Sequence, residues 1–85
     1  MGSRRADRWV PDEAYSLSKE ARGLSKMHYE PPLPVYAWIQ TANRLVRIEA
    51  VAHEASDDAV LVEWGEAGAK RDAWVWRAAV KHRAV

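Results

Sequence analysis

The stretch Ala59-Val60-Leu61-Val62-Glu63-Trp64, then Gly65-Glu66-Ala67-Gly68, then Ala73-Trp74-Val75-Trp76-Arg77 reads as two strands joined by a glycine loop. Val60, Val62 and Trp64 fall on one face of the first strand, with Leu61 and Glu63 on the other, as strand alternation requires. Toward the N-terminus, Ser56-Asp57-Asp58 is a turn, and residues 44–55 form a further strand. That strand alternates at first, with Val46 and Ile48 set against Arg47 and Glu49. Ala50-Val51-Ala52 then blurs the period, which suits a bulge or bend. Ala42-Asn43 makes a tight turn back to Val35-Tyr36-Ala37-Trp38-Ile39-Gln40-Thr41, where Tyr36 and Trp38 share one face and Val35, Ala37 and Ile39 the other. Toward the C-terminus, Ala78-Ala79-Val80 is a helical turn or a continuation into Lys81-His82-Arg83. Val46, Ile48, Val60, Val62 and Val75 are the expected core.

The N-terminal part differs. Val10-Pro11-Asp12-Glu13 carries a helix-start signal, with Pro at the first helical position and acids in the first turn. Ala14, Leu17, Ala21 and Leu24 follow as a narrow apolar stripe, which predicts a helix over 11–22. Residues 1–10 lack such a pattern and hold Arg4, Arg5, Arg8 and Trp9; a mobile arm is expected there. Pro31, Pro32 and Pro34 bracket Leu33 as a stiff linker, since proline removes backbone donors and favours extended chain. The expected organisation is an arm over 1–30, a linker over 31–34 and a β domain over 35–85.

Four or five short antiparallel strands joined by short turns suit a bent sheet closed into a small barrel. In outline, residues 34–83 resemble the SH3-like small barrels, and among them the Tudor-type domains. The resemblance lies in a bent strand pair, Val60-Leu61-Val62-Glu63-Trp64, a Gly loop, Trp74-Val75-Trp76-Arg77 and a short turn into a closing segment. It implies a mainly β, SH3-like barrel and a binding role toward peptides, modified side chains or nucleic acid, with no catalysis.

With 85 residues, a chain of this length buries only about 60% of its unfolded surface, so one marginal core is expected. Thirteen basic against twelve acidic residues give +1, which argues against affinity from bulk charge. The absence of Cys excludes disulfides, thiolate metal sites and a Cys nucleophile. No apolar run is long enough to span a membrane, and Met1-Gly2-Ser3-Arg4-Arg5 is unlike a secretory signal. A cytoplasmic protein of a bacterium or phage is the expectation. His28, His53 and His82 fall in separate segments without metal-ligand spacing, no nucleophile elbow presents a Ser, and Gly65 and Gly68 lack the Lys-Ser/Thr of a phosphate loop. His53 with Glu54 and Glu49 is the nearest approach to an acid–base cluster. The reading is therefore of a non-enzyme that needs no metal or cofactor.

Aromatic residues are the sharpest feature: five Trp and three Tyr with no Phe. Either two or three of Trp38, Trp64, Trp74 and Trp76 build the core, or Tyr36, Trp38 and one of Trp74 or Trp76 form an exposed platform, so that Tyr36, Trp38, Trp74 and Trp76 are the candidate contacts for another protein or a second copy. Trp38 and Trp76 are the rings expected outside, because each faces away from a side rich in Val, Ala or Ile. Charge is segregated as well, with six acids and no Lys or Arg over 49–66, and Lys70, Arg71, Arg77, Lys81 and Arg83 with one acid over 70–85. This is either cross-strand charge pairing or a basic rim that, with Trp74 and Trp76, would bind nucleic acid. In that alternative Arg77 and Arg83 are the phosphate ligands, Lys70 and Arg71 on the loop are helpers, and Lys81 belongs to the same face.

Overall fold

The computed structural model describes residues 13–84. The arm over 1–10, with Trp9, and the start of the expected helix at 11–12 lie outside the described residues. A single helical turn, α1 (Lys19–Arg22), precedes five strands: β1 (Ser25–Gln40), β2 (Leu45–Ser56), β3 (Ala59–Trp64), β4 (Arg71–Trp76) and β5 (Val80–His82). A 3-10 turn, Arg77–Ala79, joins β4 to β5. All neighbours are antiparallel, in one open sheet ordered β4-β3-β2-β1-β5. The fold is thus mainly β, as the alternation predicts, and the sheet itself does not close into a barrel.

Two expectations about the N-terminal part need correction. Of the described residues in that span, 13–22, only Lys19–Arg22 is helical, capped by Ser18, whose Oγ accepts from Ala21 N–H. The segment before it is extended because the sheet offers its backbone better partners than a short isolated helix could. Ala14 bridges Thr41, Tyr15 N–H donates to Gln40 O (2.8 Å), and Leu17 N–H donates to Trp74 O (2.9 Å). The second correction concerns 31–34, which is no linker but part of β1. Pro31 and Pro32 fall where the β1–β2 register skips from His28 to Leu33, so no ladder bond is asked of them. Pro34 accepts from Arg83 N–H on the β5 side, so its missing donor also faces away from β2.

The core is made of small side chains. Val35, Ala37 and Ile39 of β1 meet Ala50, Ala52 and Ala55 of β2, Val60 and Val62 of β3, and Ala73 and Val75 of β4. Val46 and Ile48, expected in the core, are half-buried at its margin. The irregularity foreseen near Ala50-Val51-Ala52 falls at His53, which the β2–β3 register skips. That extra residue keeps Ala55 on the buried face after Ala52.

Turns follow local chemistry. Thr41, buried, closes the β1–β2 hairpin: its N–H donates to Arg44 O (2.8 Å), and its Oγ1 accepts from Asn43 N–H and Arg44 N–H. Buried Ser56 donates its hydroxyl to the Arg22 carbonyl and accepts from Ala59 N–H, tying α1 to the β2–β3 turn. Gly65 has φ +98°, a left-handed conformation that only Gly adopts readily. A Cβ there would lie 2.8 Å from the Ala69 carbonyl oxygen.

Candidate functional site

Strand parity decides where the aromatics go. The faces of β1 and β4 that carry Val35, Ala37, Ile39, Ala73 and Val75 turn inward, so Tyr36, Trp38, Trp74 and Trp76 turn outward. Trp38 is 46% exposed and Trp76 50%. Tyr36 and Trp74 are half-buried. Among the described tryptophans, only Trp64 packs against the core, and it too is half-buried. The core is instead built from Ala, Val and one Ile.

Curling of the sheet brings β1 and β4 toward each other, although two strands separate them in sheet order. Residues 14–17 bridge this seam, bonded to β1 on one side and to β4 on the other; Ser16 Oγ accepts from Trp74 N–H (2.8 Å). Along the seam runs a groove of about 480 Å³, lined by Trp38, Trp74 and Trp76 together with Tyr15, Leu17, Leu45 and Ala79. Its only polar side chains are Ser16, Gln40 and the ends of the aromatic rings. Tyr36 lies in a smaller adjoining concavity, about 170 Å³, which shares Trp38 and Ala79 and adds Arg47 and Lys81. The structure thus gathers Trp38, Trp74 and Trp76 in one groove and sets Tyr36 beside it.

Sequence reasoning missed four contributors. Tyr15 and Leu17 fall within the helix expected over 11–22, and nothing in the local pattern singles out Leu45. Arg47, set by alternation on the face opposite Val46 and Ile48, has its guanidinium stacked 4.8 Å from the Tyr36 ring centre. It lies directly opposite Trp38 in the β1–β2 register, which is the sequence signal that could have found it. A second stacked cation, Arg22, sits 4.4 Å from the Trp74 ring centre and covers it from the α1 side.

The basic residues of the nucleic-acid alternative are not gathered. Lys70 and Arg71 stand at the start of β4, beside Glu13 and Asp72 in a polar hollow, and Arg77 stands at its other end, about 20 Å along the strand. Arg77 Nε donates to the Ser56 and Asp57 carbonyls (3.2 Å each). Arg83 is mostly covered and donates to the Val35 and Ala50 carbonyls (3.2 and 3.1 Å). Both are held by backbone oxygens. Lys81 is exposed opposite Tyr36.

His53 partners Glu63, across the sheet. His53 Nε2–H donates to Glu63 Oε1 (2.8 Å), because an ionised carboxylate can only accept. This hydrogen bond holds the Glu63 carboxyl below its ordinary range, partial burial opposes the shift, and Lys70 at 3.8 Å reinforces it. The trio offsets Asp72, which stands directly opposite Glu63 in the register. Among the described residues no group of three or more His, Asp or Glu side chains could hold a metal ion, and no helix is long and apolar enough to cross a membrane.

Comparison with protein families, curated proteins and solved structures finds no match for this chain.

Proposed function

We propose that this protein is a non-catalytic interaction module that binds another protein through the aromatic groove of the β1–β4 seam. One observation carries the reading: Trp38 and Trp76, each about half exposed, line a single apolar groove with Trp74, Tyr15 and Leu45. Folding alone gives no reason to leave large rings there, since they bury more area than any other side chain and the core is short of it. Exposed Trp in a concave surface is the composition of a binding hot spot. In architecture we read the chain as an SH3-like small barrel. Three features support this: the β5 return to β1, the 3-10 turn before it, and the closure of the remaining seam by residues 14–17.

The nucleic-acid alternative, through Lys70, Arg71, Arg77, Lys81 and Arg83, has less behind it, because two of its arginines are engaged by carbonyls and the cations are dispersed.

The test is selection of binders from a displayed random-peptide library by the full chain, followed by affinities for wild type, Trp38→Ala and Trp76→Ala. Retained folding with an affinity loss of about 2 kcal/mol or more at either ring supports the reading. Binders indifferent to both substitutions overturn it.

A further inference from the structure

The groove and its smaller neighbour differ in charge. No charged side chain lines the seam groove. The adjoining concavity holds Arg47 and Lys81 and no acid. Neither cation makes an ion pair among the described residues. Glu49, the acid nearest in register, lies opposite Tyr36 and faces Arg83 (3.9 Å). Stacking on Tyr36 occupies one face of the Arg47 guanidinium and leaves its N–H edge available, which is the geometry a carboxylate takes up in a bidentate pair. The ring also restrains the side chain before any ligand arrives, which lowers the ordering cost of binding.

Resting on the interaction reading above, we infer that the groove takes an acidic peptide segment. A bulky apolar side chain fills the seam beside Trp38 and Trp76, and a carboxylate of the same segment meets Arg47 and Lys81. Trp38, shared by both concavities, sets the two anchors side by side. Charge complementarity selects a carboxylate, and the near absence of polar groups in the larger groove selects an aliphatic or aromatic neighbour for it. A nucleic-acid strand fits less well. Phosphate tracking needs a series of free cations along the backbone path, and here two stand together in a chain of net charge +1.

The library selection provides the probe. Expected is enrichment of Asp or Glu within a few residues of Trp, Leu, Ile or Met, and at least about tenfold weaker binding of a selected peptide by an Arg47→Glu/Lys81→Glu variant. Replacing the peptide's own acids with Asn or Gln should cost the same, which keeps the test independent of whether the protein variant folds. Trp38→Ala should weaken the same peptide by about thirtyfold. If Trp38→Ala weakens binding but neither charge change does, the acidic-peptide inference fails while the interaction reading stands. If neither Trp38→Ala nor Trp76→Ala changes binding, both fail. Failure to select any peptide overturns the inference. So does a labelled single-stranded oligonucleotide that binds as tightly as the peptides and is lost on charge reversal; the surface would then be a nucleic-acid site.

Discussion

Truncation of Val62 tests the packing most sharply. Val62 is fully buried, and its register partners on both sides are alanines, Ala52 on β2 and Ala73 on β4. Its two methyl groups therefore fill space that neither neighbour can reach. In Val62→Ala three alanines stand in one row, and no adjacent side chain is long enough to collapse into the void. Losing two buried methyls costs about 1.6 kcal/mol at ~0.8 kcal/mol each. A remaining void of roughly 50 Å³ adds about 1 kcal/mol at ~24 cal/mol per Å³. The sum, about 2–3 kcal/mol, corresponds to a fall in Tm of roughly 10–20 °C for a domain of this size. Thermal unfolding followed by circular dichroism reads it, with Leu45→Ala as the control. Leu45 is exposed on the opposite face, and its loss should change stability by about 0.5 kcal/mol or less. A Val62→Ala variant that melts within about 2 °C of the parent would contradict this packing; a fall in Leu45→Ala alone would mean the two faces of the sheet are reversed.

Two further outcomes follow from local geometry. Because the Glu63 carboxyl titrates lower in the folded chain than in the unfolded one, the unfolded chain binds more protons between those two values, and stability rises with pH there. The contribution is complete above the ordinary Glu range and vanishes as pH falls through the lowered value. Glu63→Gln should thus flatten the acid limb of the Tm-against-pH profile, and parallel profiles would contradict the His53–Glu63 pairing. At the β3–β4 loop, Gly65→Ala should cost about 1–3 kcal/mol, since it adds a clash with the Ala69 carbonyl to an unfavourable φ. Gly68→Ala should cost less, about 1 kcal/mol, because nothing lies within 4 Å of its added Cβ. Denaturant midpoints give the order, and the reverse order would contradict the loop geometry.

The strands from Val35 onward were legible because β-branched residues alternate there and the turns carry Asp, Asn and Gly. Residues 14–17 were not. Their Ala and Leu spacing favours a helix, and only the distant edges of β1 and β4, invisible to local pattern, draw them into extended chain. The prolines hid the first half of β1 for a similar reason: proline argues against a strand unless the register skips it, and register is a property of the partner strand. For the site, parity separated Trp38 and Trp76 from Val35, Ala37 and Val75, so the outward rings could be read from β1 and β4 alone. That both strands meet across a seam depends on the curl of the whole sheet. Hence Tyr15 and Leu45 escaped notice. Alanine's role was obscured too, since Ala50, Ala52, Ala55 and Ala73 carry little hydrophobic signal yet fill the core.

The proposed binding surface is the seam groove, not the core or the scattered basic residues. A ¹⁵N spectrum of the tryptophan indole N–H groups, recorded as a selected peptide is added, tests it without any mutation. Trp38 and Trp76 line the groove and are half exposed, whereas Trp64 packs against the core from outside the groove. The Trp38 and Trp76 indole signals should shift on binding while that of Trp64 stays in place. A bound peptide that moves Trp64 and leaves Trp38 and Trp76 unmoved would contradict it.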